Sequence, residues 1–168
     1  MQRRHVLAAL LALAAGISHA QPAESVVIGG DVKQTLTLTT TELRAFDAKS
    51  QRELRERRDA GTVQRDTTLR GVALAALIER AGLAERDRLD WRKTVVVAIA
   101  RDGYRVTFSW PELVNTDGGA LVMLAYERDG HPLPVDEGPL ALMAPADQRP
   151  GPRRVKWLQR IDVRILRD

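Results

Sequence analysis

The sequence of 168 residues contains no cysteine. That excludes disulfides, thiol nucleophiles, cysteine-type zinc sites and iron–sulfur clusters together. Histidine is nearly as scarce: after the first twenty residues only His131 remains, beside Pro132 in a stretch of turn composition. A serine–histidine–acid triad would have to use it as base, and no Gly-x-Ser-x-Gly elbow is present. A solvated turn histidine is the simpler reading. One imidazole and no thiol leave a metal only carboxylates and carbonyls, which suit hard cations, and no aspartate-rich calcium loop occurs. Aromatic residues make up 4% of the chain. Nucleic-acid binders interleave aromatics with a basic stripe, so nucleic acid is not expected as a partner.

An apolar run long enough to span a bilayer is also missing. Val6–Ile17 is apolar, follows Arg3 and Arg4, and precedes the small residues Ser18 and Ala20. Those are the three parts of a secretory signal. The expectation is a signal peptide over residues 1–20 and one mature domain over 21–168, beginning at Gln21, periplasmic or secreted, with no transmembrane segment. An exported domain without disulfides stands on its hydrophobic core alone, and 148 residues can supply one.

The formal charge of +4 is unevenly placed. Residues 149–168 hold seven basic and two acidic side chains, whereas residues 21–148 hold 17 basic and 20 acidic. The basicity belongs to the C-terminal piece.

Along the chain, Val26-Val-Ile-Gly-Gly-Asp31 reads as a strand entering a turn, and Thr35-Leu-Thr-Leu38 alternates like a half-buried strand. Thr39 and Glu42 have capping-box spacing, so a short helix starts there. Residues 47–68 admit two readings. Propensity favours a charged helix over Ser50–Asp59; the missing apolar face and the Ala60-Gly61 pair fit a solvated edge hairpin equally well. Leu74, Leu77, Ile78 and Ala81 then mark an amphipathic helix of about three turns, stopped by Gly82. Thr94–Ala100 is a β-branched run without a polar face, hence a central strand. Asp102-Gly103 turns it into the alternating Val106, Phe108 and Trp110, and Pro111 suits the first turn of a helix. Ala120–Tyr126, Pro139–Met143 and the alternating Ile161, Val163 and Ile165 supply further strands. Roughly six to eight strands and two or three short helices make an α+β domain without internal repeats.

The chemistry concentrates at Gly138–Leu158. An apolar run breaks at Pro145, and a loop stiffened by Pro150 and Pro152 carries Arg149, Arg153, Arg154 and Lys156 before Trp157. Guanidinium groups bind phosphate, sulfate or carboxylate bidentately, and a turn entering a helix adds backbone N–H donors. A solvated rim that neutralises the acidic remainder of the domain is the alternative. Asp102 follows a buried strand beside Tyr104, where side chains line pockets, and Asp147 opens the cationic loop. The candidate ligand-binding set is therefore Asp102, Tyr104, Asp147, Arg149, Arg153, Arg154 and Lys156. No catalytic or metal-ligating set is assigned.

The order of these pieces resembles the molybdopterin-binding domain of the sulfite oxidase family, in its short stand-alone exported form. The landmarks are Val27-Ile-Gly-Gly-Asp-Val32, Leu38 through Leu43, and Leu69-Arg-Gly-Val-Ala-Leu-Ala-Ala-Leu-Ile-Glu-Arg-Ala-Gly82. Ala100–Tyr104, Ser109–Leu113 and Leu124–Leu133 follow, then Gly138–Leu140, Pro145–Asp147 and Arg154–Val163. The resemblance implies mixed β-sheets with a few short helices, and a cleft of basic and backbone donors that holds an anionic pterin near the Arg/Lys loop. It also implies molybdenum held by a protein cysteine thiolate beside the cofactor's dithiolene sulfurs. This chain has no cysteine, and an oxygen ligand is not equivalent to soft sulfur.

Three readings follow. The first is a non-catalytic anion-binding or accessory domain with no cofactor, working with a small anion or a membrane or redox partner. The second is a molybdopterin-dependent oxidoreductase whose metal is bound without cysteine. The third is a partner-docking module with an empty cleft.

Overall fold

The computed structural model describes residues 25–60, 63–149 and 151–167. The expected leader over residues 1–20, Gly61 of the expected hairpin tip and Pro150 of the cationic loop lie outside the described residues.

The first alternation forms β1 (Ser25–Gly30) and β2 (Leu36–Thr39), which bury Val26, Ile28, Leu36 and Leu38. Thr39 caps α1 (Thr40–Arg44): the Glu42 N–H donates to its hydroxyl, and its own N–H donates to the Glu42 carboxylate at 2.7 Å. The ambiguous segment is a hairpin, β3 (Gln51–Ala60) against β4 (Val63–Ala73), in register from Gln51↔Val72 to Ala60↔Val63. A helix over these residues would have no apolar stripe to bury, and packing of such a stripe supplies most helical stability. As a strand, the segment places Leu54 opposite the fully buried Leu69.

α2 (Leu74–Ala81) spans the periodic residues but makes about two turns, not three, because Gly71 to Ala73 remain in β4. Gly71 is needed there: a Cβ on it would stand 2.3 Å from the Leu124 carbonyl oxygen. Gly82, at φ +69, ends the helix with its N–H donating to Ile78 O at 2.8 Å.

β5 (Thr94–Ala100) and β6 (Arg105–Ser109) form the second hairpin. α3 (Trp110–Asn115) starts at a second capping box, Ser109 with Glu112, with Pro111 in its first turn. α4 (Asp117–Ala120) takes Ala120 from the expected strand, so β7 is Met123–Arg128. β8 (His131–Pro132), β9 (Ala141–Met143) and β10 (Leu158–Ile165) complete the order.

Two sheets result. The first runs β2-β1-β10-β5-β6, with β1 parallel to β10 and the other pairs antiparallel. The second runs β3-β4-β7-β8, and β9 pairs with β7 as well. One apolar cluster joins both sheets and α2, with Ile28, Leu77, Phe108, Leu124 and Ile161 all at most 1% exposed. Each such side chain contributes roughly 1.5–3 kcal/mol by leaving water. Leu69, Met123, Ala125 and Met143 form a smaller cluster. Ala125 and Leu124 are successive in a strand and point to opposite faces, so the second sheet is apolar on both sides. An isolated bridge between Leu142 and Val155 ties the cationic loop to this sheet just before β10 returns to the first.

Candidate functional site

Residues 144–157 leave β9 and re-enter as β10, with one 3-10 turn at Gly151–Arg153. The cations of this loop do not share one environment.

Arg153 is clamped. Its Nε donates to Asp147 Oδ2 at 2.7 Å, its Nη2 to Asp147 Oδ1, and its Nη1 to Glu112 Oε1 at 2.8 Å. Its guanidinium stacks 4.5 Å from the centre of the Phe108 ring. The hydrogen bonds from Arg153 hold the Asp147 carboxyl below its ordinary pKa against the opposing effect of burial, and Asp147 in turn raises Arg153. Glu112 also caps α3 through Ser109, so the clamp pins the loop to a helix start. Arg153→Ala should lower stability by about 2 kcal/mol, because two carboxylates lose a charged donor in a partly exposed setting. Arg153→Lys should recover only part of that, since an ammonium cannot reproduce the planar fork. Urea unfolding of the three proteins decides, and equal stability of the lysine variant and the native chain would contradict the clamp.

Tyr104 joins this cluster, donating from its hydroxyl to Pro152 O at 2.5 Å. Asp102 does not: it is exposed, and its Oδ1 accepts the Tyr104 N–H at 2.9 Å within the β5–β6 turn. Lys156 pairs with Asp136 at 2.7 Å at the surface, where such pairs contribute little. Arg149 is exposed and has no ion-pair partner among the described residues.

Arg154 enters a second network. Its Nη2 donates to both oxygens of Glu137 at 2.7 Å, its Nη1 lies 3.4 Å from Glu56 Oε1, and Arg128 donates to Glu137 Oε1 at 2.6 Å. Glu137 is 2% exposed. Burial raises its pKa, but the hydrogen bonds from Arg154 and Arg128 outweigh burial and leave it below the ordinary value. The Nε atoms of Arg128 and Arg154 are buried without an acceptor among the described residues. Beside this network Trp157, at φ +50, lays its ring on Gly138 and under the Arg101 guanidinium, 3.6 Å from its centre.

Of the seven expected residues, the structure thus gathers Asp147, Arg153 and Tyr104 at one cluster and sends Arg154 to another. Asp102, Arg149 and Lys156 stand apart at the surface. Sequence reasoning gave no site role to Glu112, Glu56 and Arg128, and read Glu137 as a turn carboxylate. Only Glu112 carried a local signal, its capping-box spacing from Ser109.

β3 passes the loop at the Glu56–Arg154 pair. An open cleft of about 350 Å3 lies there, lined by Leu54, Arg55, Glu56, Arg57, Pro145, Gly151 and Arg154. Arg55 is exposed and has no side-chain partner among the described residues. Arg57 donates to Asp66 at 3.1 Å, an exposed pair that an incoming anion can displace. Three arginines and one glutamate therefore line the cleft: Arg154 is already paired with Glu56 and Glu137, and Arg55 and Arg57, alternating with Glu56 along β3, line it from the strand's other face. No group of three or more His, Cys, Asp or Glu side chains with metal-site geometry occurs among the described residues.

Comparison with known proteins agrees with this architecture. The family described as the oxidoreductase molybdopterin binding domain matches residues 17–165. Among solved structures, the sulfane dehydrogenase SoxCD from Paracoccus pantotrophus is similar, with a TM-score of 0.62 and 20% identity. The match covers 84% of this chain and 38% of that one, and at this identity it shows the fold alone. No curated protein matches. One mixed and one antiparallel sheet, and the family match over 17–165, lead to one conclusion: the chain belongs to the oxidoreductase molybdopterin-binding-domain family.

Proposed function

We propose that this chain is an exported, non-catalytic member of its family that binds a small phosphate-bearing anion, of the kind a pterin carries, in the cleft between β3 and the 145–154 loop. The observation that carries the reading is the donor set. Arg55 and Arg57 line the cleft beside the already paired Glu56 and Arg154, and the whole sequence contains no thiolate. Guanidinium forks match phosphate geometry. They do not ligate a metal, because they have no free lone pair to give. The residues present therefore fit the anionic part of the family's cofactor and do not fit a thiolate-held molybdenum, so no redox step is assigned.

Arg153 contributes here by fixing the loop rather than by touching the anion, since its donors are already spent on Asp147 and Glu112. Export rests on the leader pattern of residues 1–20, and no helix among the described residues is long and apolar enough to cross a membrane. N-terminal sequencing of the exported protein should begin at Gln21.

Pyrophosphate is the probe. It should raise the melting temperature of the native protein in a concentration-dependent way. Arg55→Ala with Arg57→Ala should remove most of that rise, while Arg105→Ala, an exposed arginine on β6, should keep it. An unchanged rise in the double variant would contradict the assignment of the cleft.

A further inference from the structure

β3 is the outermost strand of the second sheet, and its ten residues pair on the β4 side only. The phase of that ladder is fixed by Ala73, whose N–H donates to Ser50 O at 2.9 Å. Alternate residues face opposite edges, so the main-chain groups of Arg52, Leu54 and Glu56 point at β4 and those of Glu53, Arg55 and Arg57 point outward. Among the described residues nothing bonds to these outward groups. At Gln51 the free edge ends: its N–H donates to Asp47 O, and its carbonyl accepts from Arg52 Nη1.

A long open edge is a template for another strand, and charged side chains usually keep strands away from it. Here the charges have an order. Along Arg52-Glu-Leu-Arg-Glu56 the charges invert sign about Leu54: Glu53 mirrors Arg55, and Arg52 mirrors Glu56. Set two copies antiparallel, with a two-fold axis at Leu54. Glu53 of each copy then faces Arg55 of the other, Arg52 faces Glu56, and Leu54 faces its own copy. The next register in one direction sets Arg55 against itself, and in the other it sets Glu53 against itself. Of the registers centred within Arg52–Glu56, only the one at Leu54 is free of like-charge contact at the axis.

The backbone phase agrees with that register. Glu53 and Arg55 of opposite copies have outward-pointing groups, so they exchange both main-chain hydrogen bonds, and symmetry repeats the exchange. Leu54 and the Arg52–Glu56 pairs fall at the non-hydrogen-bonded positions, where facing side chains come closest. Among the described residues Arg55 is exposed with no side-chain partner, and Glu53 is exposed with Arg70 at 3.3 Å.

We propose that this chain forms a two-fold homodimer in which the second sheets of two copies join edge to edge through antiparallel β3 pairing centred on Leu54. The interface is isologous and closes on itself, so it gives dimers and not fibres. It rests on the edge and its charges and not on anion binding, but Arg55 serves in both, and the cleft lined by Leu54, Arg55 and Arg57 lies beside the axis.

Sedimentation equilibrium on the full mature chain tests it. The mass should double as concentration rises through the micromolar range, and the dimer should weaken with added salt. Arg55→Glu turns both symmetric Glu–Arg contacts into Glu–Glu and should raise the dissociation constant roughly tenfold or more. Exchanging the two charges, Glu53→Arg with Arg55→Glu, should bring the dimer back. Glu53→Arg alone repeats the disruption from the other side, and circular dichroism of each variant separates lost pairing from lost folding. A native chain that stays monomeric, a dimer indifferent to either single change, or an exchange variant that fails to restore it would each overturn the proposal.

Discussion

Glu137→Gln is expected to cost about 3–5 kcal/mol of stability at neutral pH, the range for removing one partner of a buried ion pair. Glu137 is 2% exposed and accepts from both Arg128 and Arg154, whose side chains are 17% and 15% exposed. Without its charge, Arg128 and Arg154 lose the carboxylate they meet at 2.6 and 2.7 Å, and the glutamine amide turns a further donor toward them. The same variant fixes the sign of the pH dependence. The folded pKa of Glu137 lies below its ordinary 4.5. Its contribution is therefore present above that value and is lost as pH falls through the folded pKa. Asp147 and Asp162, both also lowered, add to the loss in the same acid window. The stability gap between the native chain and Glu137→Gln should accordingly narrow below pH 4.5. Urea unfolding across that range is the measurement, and a gap independent of pH would show that the network does not depend on the carboxylate's charge.

Gly138→Ala should have the next largest effect, about 2–4 kcal/mol, combining left-handed backbone strain with overpacking. Gly138 sits at φ +78, and an added Cβ would stand 2.6 Å from Trp157 Cδ2. The ring has little freedom to retreat. Trp157 is itself at φ +50, its N–H donates to Glu137 O at 2.8 Å, and Arg101 covers its ring. Gly103 provides the control: at φ +88 it carries the same backbone cost, but a Cβ there meets nothing within 4 Å. Gly103→Ala should lose only about 1 kcal/mol. Equal losses in the two variants would remove the Trp157 contact from the explanation.

These two positions also show what the sequence could and could not disclose. Local chemistry was readable. Thr39 with Glu42 announced α1, Asp102-Gly103 announced the β5–β6 turn, and the alternation of Ile161, Val163 and Ile165 announced β10. The hairpin of β3 and β4 was not separable from a helix, because its stability comes from the β4–β7 ladder and from Leu69, which are remote in sequence. The cations of the C-terminal loop were visible as cations. Their carboxylates were not, since Glu112 arrives from α3, Glu56 from β3 and Glu137 from the turn before β9. A cation's partner decides whether it binds a ligand or braces the fold, and that partner is set by tertiary contact. Arg153 and Arg154 are braces by this criterion, and Arg55 and Arg57, in a segment that read only as charged, supply the accessible guanidiniums of the cleft.

The central claim is a family fold kept for anion binding without a thiolate-held metal. Elemental analysis for molybdenum, on mature protein exported from a host that makes the cofactor, tests it most directly. The account predicts molybdenum far below one atom per chain, with pyrophosphate still stabilising the same preparation. Near-stoichiometric molybdenum that survives gel filtration would contradict it, and would require a ligand other than cysteine to hold the metal.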